Sequence, residues 1–206
     1  MDQKTAGFSL LELIITITIA GILATIAVPS LVSTIRNNRL AAQTNELIST
    51  LIYARSEAVK RNTRVLMCRS TNVGSVNATT PPTCATGGTT GWETGWIVFV
   101  DADSDSTFNP PTAGANAYPA CATGNDCLLS SHIALPGSVT LTGNNNVANR
   151  VAFTSLGFAS ASNGAMVLKY SDDTANSNTR LVCIATSGRA RLMPKGTTST
   201  SCTGTN

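Results

Sequence analysis

The sequence predicts an α+β protein in which one long N-terminal helix packs on a disulfide-containing antiparallel β domain. The chain begins with an apolar run that is almost free of charge. Apolar residues then recur at helical spacing as far as Ala58, and after Asn62 the pattern changes to short apolar runs typical of strands. We therefore expect a short segment before the apolar run, a membrane-spanning half-helix, a second half-helix and a soluble β-rich domain, over residues 1–7, 8–30, 31–62 and 63–206.

The apolar run from Phe8 to Val28 is long enough to cross a bilayer, because about 20 helical residues span the hydrocarbon core. It exceeds the core of an ordinary signal peptide, and Lys4 alone supplies positive charge before it. A secreted protein cleaved before Val28 is the alternative. Glu12 lies inside the run, and a carboxylate in lipid needs a partner charge. Cleavage between Gly7 and Phe8 would supply one as a free amine.

The second part of the predicted helix carries one apolar stripe. Pro29 should kink the helix rather than end it, because apolar spacing resumes at Leu31. The helix should end near Asn62, where β-type residues begin. The stripe that we expect to pack on the sheet consists of Leu40, Leu47, Leu51, Ala54 and Ala58.

The remainder of the chain alternates short strand-like runs with loops rich in Thr, Gly, Pro and Asn. We expect one antiparallel sheet system that packs on the helix stripe. The predicted strands are residues 64–69, 96–100, 132–135, 139–142, 150–154, 166–170, 180–185 and 189–193.

The six cysteines all follow the apolar run, and none belongs to a CxxC pair. His132 is their one histidine companion, which is a poor set for zinc, so we predict no metal site and no cofactor. An even number of cysteines in a loop-rich domain behind a membrane segment indicates disulfides in an oxidising compartment, with reduced buried thiols as the alternative. Closeness along the chain favours the pairs Cys68–Cys84, Cys121–Cys127 and Cys183–Cys202.

The sequence contains no recognisable catalytic constellation. His132 lies in an apolar pattern typical of a structural residue, and no Ser or Cys has a base at motif spacing, so we predict that the protein is not an enzyme. The segment from Asp101 to Ser106 resembles the start of an EF-hand loop. The loop's glycine is missing, however, and Thr112 stands where a bidentate Glu is required. We interpret the segment as a solvated acidic turn, with a loose calcium site as the alternative.

Positive charge is concentrated near the C-terminus in SGRARLMPKG, residues 187–196. No Lys or Arg occurs from residue 70 to 149, and such asymmetry suggests a polyanion partner. A guanidinium suits phosphate because it donates two hydrogen bonds to one group. Glycine would allow a tight turn or a close approach to phosphate. The residues that we expect at this site are Gly188, Arg189, Arg191, Lys195 and Arg180.

Two alternatives to this C-terminal site remain open. Arg189 and Arg191 would project from one face of a strand, where charge also serves to protect an ordinary sheet edge. A second basic cluster on the predicted helix and its end could also attract a polyanion, although we expect it to face neighbouring subunits or solvent. Its members are Arg55, Lys60, Arg61 and Arg64.

The stretch GFSLLELIITITIAGILATIAVPSL closely resembles the N-terminus of type IV pilins and of the pseudopilins of type II secretion. Gly7, Phe8, Glu12 and Pro29 all match that pattern. The resemblance implies the type IV pilin fold, removal of residues 1–7 as a leader by a prepilin peptidase, and N-methylation of Phe8. It also implies that Glu12 pairs with the terminal amine of a neighbouring subunit during filament assembly.

Farther along, GWIVFVDADSD, VAFTSLGFAS and IATSGRARL resemble the GspH/FimT branch of pilin-like proteins. Gly188, Arg189 and Arg191 are similar to the Gly-Arg-x-Arg motif of FimT-type minor pilins, which are implicated in DNA uptake during natural transformation. This implies pilin partners and non-specific phosphate contacts with DNA. It also implies a single-pass inner-membrane protein with a periplasmic soluble domain, which is displayed on the pilus after assembly. The alternatives are a structural, FimU-like minor pilin that primes or caps the filament, and a GspH-like secretion pseudopilin.

Overall fold

The computed structural model describes residues 9–73, 81–87, 91–109, 124–160, 163–195, 197 and 202. These residues fall into two compact units that divide between Arg39 and Leu40. A long helix precedes the strands along the chain. The elements are α1 (Leu10–Arg61), β1 (Val65–Arg69), β2 (Trp96–Val100), β3 (Cys127–His132), β4 (Val139–Gly143), β5 (Arg150–Phe153), β6 (Gly164–Tyr170), β7 (Arg180–Ile184) and β8 (Ala190–Leu192).

The part of α1 in the N-terminal unit exposes its large apolar side chains. By length and composition this helix can cross a membrane, and it continues through Pro29 as predicted. Its threonine hydroxyls donate hydrogen bonds to carbonyl oxygens of the preceding turn. These hydroxyls therefore need no water as a partner, as a lipid environment would require. The bonds run from Thr16 to Leu13 (2.8 Å), from Thr18 to Ile14 (2.8 Å) and from Thr25 to Ile22 (2.7 Å).

The helix ends in a Schellman motif at Asn62, which confirms the predicted end. Asn62 has a left-handed φ of 50°, and its N–H donates to the carbonyl of Val59 (3.2 Å). The N–H of Thr63 donates to the carbonyl of Ala58 (3.2 Å). These two bonds satisfy carbonyls that would otherwise lack partners at the helix end, and asparagine tolerates the left-handed conformation. The chain then enters β1.

The strands form two four-stranded antiparallel sheets, with the orders β3-β2-β1-β5 and β4-β6-β7-β8. The sequence predicted a single sheet system. The difference arises because β4 leaves the first sheet, whereas β5 returns to pair with β1, so consecutive strands belong to different sheets. Strand periodicity shows which residues share a face, but it does not show which strands are neighbours.

The main core lies between the α1 stripe and residues from both sheets. All five predicted stripe residues are at most 1% exposed, which confirms the stripe. In β1, Val65 and Met67 join the main core, whereas Leu66 and Cys68 join a second cluster on the opposite face. Because β1 is buried on both faces, its sequence is a continuous apolar run rather than an alternating one.

The predicted strand over residues 132–135 is wrong, because β3 ends at His132. β3 is an edge strand, and its Ser130 and Ser131 pair with Val98 and Ile97 of β2. An edge strand tolerates polar residues that contact solvent. The two serines interrupt the apolar run, so the sequence pattern did not indicate a strand here. Ile133, which attracted the prediction, is 65% exposed. The other strands begin and end within two residues of the predicted positions.

Candidate nucleic-acid interface

A tight turn joins β7 to β8 and contains the glycine of the predicted basic motif. The N–H of Gly188 donates to the carbonyl of Ala185 (2.8 Å), and the N–H of Ala185 donates to the carbonyl of Arg189 (3.0 Å). Gly188 has a left-handed φ of 76°. This is the hairpin turn whose last loop residue is left-handed, a position that glycine occupies without strain.

A second turn of the same design follows β5. Gly157 has a φ of 79°, and its N–H donates to the carbonyl of Thr154 (2.8 Å). The N–H of Thr154 in turn donates to the carbonyl of Phe158 (2.9 Å). The two segments resemble each other in sequence only in the position of the glycine. We refer to residues 154–158 and 185–189 together as the twin turns.

The twin turns contact each other at their glycines. A Cβ atom on Gly188 would overlap the carbonyl oxygen of Gly157 and would lie 3.0 Å from Nε of Arg55. That Nε donates to the same Gly157 carbonyl (2.9 Å), and Gly188 is buried. The sequence left open whether this glycine serves a turn or the close approach of a phosphate. The structure shows a turn whose close approach is to Gly157.

Three predicted cations follow the turn and are exposed: Arg189, Arg191 and Lys195. Arg191 pairs with Cys183 of β7, and residues two apart on a strand share a face. Among the residues that the structure describes, none of the three cations forms an ion pair. The sequence contains no Asp or Glu after Asp173, so no acidic side chain follows these cations along the chain.

Arg180 does not join these three cations on one face. It begins β7 and has the same parity as Val182 and Ile184, which belong to the main core. Its pairing partner, Leu168, is also a core residue. Alternation along the strand therefore places Arg180 on the face opposite Arg191. A role for Arg180 in binding DNA stays a prediction.

Disulfides hold the segment that carries the cations. Cys183 is bonded to Cys202, and the closed loop contains Arg189, Arg191 and Lys195. Cys68 is bonded to Cys84, so these two predicted pairings are confirmed. Cys127 is also disulfide-bonded, whereas Cys121, its predicted partner, lies outside the described residues.

The basic cluster at the end of α1 differs, because its cations have partners within the protein. Lys60 and Arg61 both contact Glu57, at 3.3 and 2.6 Å. Arg64 pairs with Asp101 at 2.6 Å, and Arg55 donates to the Gly157 carbonyl as described above. These contacts give the helix cluster a structural role. The exposed cations near the C-terminus are the better candidates for an external anion.

The acidic loop forms a cluster that the sequence showed only in part. Carboxylate oxygens of Asp101, Asp103, Asp105 and Asp126 lie within 4.8 Å of one another. Burial raises the pKa of both Asp101 and Asp126, although Arg64 opposes this at Asp101. Asp126 is far along the chain, so no local motif links it to the loop. Oxygen clusters suit hard cations. Here Arg64 and backbone amides already engage the two buried carboxylates.

His132 has a structural environment, in line with its interpretation from the sequence. Its ring stacks on Trp96, with centroids 4.0 Å apart and an interplanar angle of 8°. Its Nε2 lies 2.8 Å from a carboxylate oxygen of Glu46 on α1. Trp96 is 1% exposed, and Trp92 is buried and donates from Nε1 to the Val147 carbonyl (3.1 Å). These rings and the Glu46 contact join β2, β3 and α1.

At the N-terminal end of α1, Glu12 has a structural position that sequence analysis missed. The N–H of Glu12 donates to Oγ of Ser9 (3.2 Å), and the N–H of Leu13 donates to the Ser9 carbonyl (3.2 Å). Ser9 thus caps the helix, and Glu12 occupies the third helical position, where an acid complements the helix dipole. The S-x-x-E spacing was the available signal. Gly7 and Phe8, the predicted processing site, lie outside the described residues.

Comparison with known proteins identifies the family. The sequence matches the Prokaryotic N-terminal methylation motif over residues 2–28 and the family described as Type II transport protein GspH over residues 43–188. The crystal structure of the Pseudomonas aeruginosa (strain PAO1) type IV minor pilin FimU in space group P21 has a TM-score of 0.51 and 18% identity, covering 80% of this chain and 96% of that chain. The crystal structure of FimU in space group P65 has a TM-score of 0.48 and 19% identity, covering 79% of this chain and 98% of that chain. At this identity the likeness concerns the fold alone. Among curated protein sequences, none matches. The chain therefore belongs to the GspH family of type IV pilin-like proteins.

Proposed function

We propose that this chain is a minor pilin that enters the type IV pilus and binds DNA through the segment after the β7–β8 turn, thereby supporting DNA uptake in natural transformation. One observation carries the proposal. Arg189, Arg191 and Lys195 are exposed and form no ion pair with a described residue, and a disulfide closes the loop that bears them. Cations without an ion-pair partner are available to phosphate, whereas Lys60, Arg61 and Arg64 are engaged in ion pairs.

The number of cations sets the expected strength and salt dependence of binding. About three phosphate contacts without base contacts place the affinity in the non-specific range, about 10⁻⁴ to 10⁻⁶ M. Each neutralised phosphate contributes about −0.9 to the slope of log K against log salt on duplex DNA. A slope of about −3 is therefore expected, and the affinity should depend little on the DNA sequence.

The test uses the full-length protein in detergent micelles and a labelled DNA duplex, with affinity measured over a range of salt concentrations. Arg189→Gln or Arg191→Gln should weaken binding to unrelated sequences equally and make the slope shallower by about one unit each. Lys60→Gln is the matched control, because it removes a charge that is 73% exposed but paired with Glu57. If the Arg189/Arg191 double variant binds DNA like the parent, DNA binding through this segment is refuted. A structural, FimU-like or GspH-like subunit would then be the better assignment.

The N-terminal segment supports a second part of the proposal, which concerns processing and assembly. We propose that a prepilin peptidase cleaves after Gly7, that Phe8 is methylated, and that the β domain lies in the periplasm before the subunit enters the pilus. Mass spectrometry of protein recovered from membranes should identify methylated Phe8 as the first residue. An N-terminus at Val28 would instead indicate an ordinary secreted protein.

Glu12 can be tested for an assembly charge separately from its place in the helix cap. Glu12→Gln retains a capping side chain, whereas Glu12→Ala removes it. If the charge pairs with a neighbouring subunit, both variants should fail to enter filaments. Rescue by Gln would assign Glu12 to capping instead and would refute the charge-pairing proposal.

A further inference from the structure

We propose that the twin turns bind single-stranded DNA, with an unpaired base stacked on Phe158 and the adjoining phosphate on Arg189. This inference rests on the proposed DNA-binding function and specifies the form of DNA that the surface takes. Stacking would add contacts with the faces of the bases to the phosphate contacts, without specificity for the base sequence.

Phe158 is the most exposed aromatic side chain in the described part of the chain, ahead of Tyr53 at 37%. In the described part of the chain, both tryptophans and the other phenylalanines are buried, at 5% exposure or less. Phe158 is 50% exposed, although it belongs to the same unit as that core. Its ring therefore contributes less to the core than those rings do and is available to a ligand.

The backbone that carries Phe158 is held on several sides. Its carbonyl accepts the Thr154 N–H (2.9 Å), and its N–H donates to Oγ1 of Thr154 (3.2 Å). The next residue, Ala159, donates its N–H to the carbonyl of Thr186 in the other turn (3.0 Å). A ring on a braced turn loses little conformational entropy when a base stacks on it, which favours binding.

The contact between the two glycines brings together the backbone segments that carry the ring and the cation. Gly157 touches Gly188, and the next residue in each turn is Phe158 or Arg189, respectively. Arg189 is exposed and has no ion-pair partner among the described residues. Neighbouring nucleotides of one strand present an aromatic base and an anionic phosphate, so the two turns offer complementary groups.

A groove on α1 lies beside this surface and is not part of the proposed DNA site. It has a volume of about 370 Å³. A Cβ atom on Gly157 would lie 3.1 Å from Cγ2 of Val59, which places one wall of the groove beside the twin turns. Its lining residues are Ile52, Arg55, Ser56, Val59 and Lys60. The sequence contains no Asp or Glu from residue 127 to 171, so the strand segments around the first turn add no charge that would repel a polyanion.

The combination of groups favours an unpaired strand over the other occupants. In a duplex the bases are stacked on one another and cannot cover a phenylalanine ring, whereas a single strand can rotate a base onto it. A second protein subunit would fit the aliphatic side chains of the groove, but it would not require an exposed cation on the turn next to the one that carries the ring. The exposed ring and the cation together therefore favour single-stranded DNA, and subunit docking becomes an outcome of the test.

The experiment compares three labelled probes on the full-length protein in detergent micelles: an unstructured oligothymidine, a duplex of equal charge and an abasic phosphodiester strand. Phe158→Ala should weaken oligothymidine binding by about fivefold or more, the lower limit for loss of one stacked base. Binding of the duplex and of the abasic strand should change less than about twofold. Arg189→Gln should weaken all three probes, because it removes a phosphate contact.

Ile133→Ala is the control, because Ile133 is an apolar side chain that is 65% exposed but lies outside the twin turns. It should leave all three affinities unchanged, and circular dichroism should confirm that each variant is folded. Equal losses on the abasic strand, or no loss on oligothymidine while Arg189→Gln still weakens every probe, would overturn the stacking inference alone. If the parent binds no probe, the proposed function fails with it. If Phe158→Ala spares DNA binding but weakens association between copies of the chain, the surface is a subunit contact and the inference is wrong.

Discussion

Gly188→Ala tests whether the glycine of the basic motif serves packing between the twin turns. An alanine at a φ of 76° adopts a left-handed conformation that costs about 1–2 kcal/mol. Its Cβ would also overlap the Gly157 carbonyl, which Arg55 holds in place. Overpacking of this kind costs about 1–3 kcal/mol. The sum predicts a loss of about 2–5 kcal/mol, or a fall of about 4–20 °C in melting temperature.

The assay is thermal unfolding of the full-length protein followed by tryptophan fluorescence, since Trp92 and Trp96 are both buried. Gly87→Ala is the matched control. Gly87 has a φ of 77°, and a Cβ atom there would meet nothing within 4 Å. This variant therefore incurs the conformational cost without the overlap, about 1–2 kcal/mol. If Gly188→Ala and Gly87→Ala unfold at the same temperature, the close approach to Gly157 has no energetic role and the argument from packing is refuted.

Removal of the C-terminal disulfide and changes in pH give further tests of stability. Replacing Cys183 and Cys202 together by serine should cost about 3 kcal/mol, because the bond joins residues 19 apart; an unchanged melting temperature would contradict this. Burial raises the pKa of the Asp126 carboxyl in the folded state, so protonation of this group favours the folded protein. The free energy of unfolding of the parent should therefore increase relative to that of Asp126→Asn as pH falls from neutral through the raised pKa. The Arg61 hydrogen bond lowers the pKa of Glu57. The parent's advantage over Glu57→Gln should therefore be present above the ordinary pKa of a glutamate and be lost as pH falls through the lowered value. Melting temperatures of the parent and of both variants, measured across the acid range, test both predictions. If the difference between parent and variant changes in the same direction for Asp126→Asn and Glu57→Gln as pH falls, the assigned causes are refuted.

The features that were predictable from the sequence are those whose cause is local. The α1 stripe follows from helical spacing, and the end at Asn62 follows from a change of pattern together with a residue that tolerates left-handed backbone. The Cys183–Cys202 pairing followed from closeness along the chain. Each of these depends on residues within a few turns or one short loop.

The features that escaped prediction depend on contacts between distant segments. Asp126 joins the acidic cluster through tertiary structure, and Ser130 and Ser131 are acceptable in β3 because it lies at a sheet edge. Arg180 is close to Arg191 along the chain, but strand alternation separates their side chains. For Gly188 a tight turn was one of the two expected roles, whereas its contact with Gly157 joins turns that are distant along the chain and was not predicted.

The contact between the two glycines changes how the Gly-Arg-x-Arg pattern should be used in comparing relatives. Three distant parts of the chain converge on one carbonyl oxygen, that of Gly157, and the structure allows a hydrogen atom but no methyl group at residue 188. A relative without arginines at the positions of Arg189 and Arg191 would still need this glycine, provided that it keeps the two turns. The glycine is therefore a marker of the shared architecture. Functional divergence within the family should be visible at the positions of Arg189, Arg191 and Phe158, which the architecture leaves free to vary.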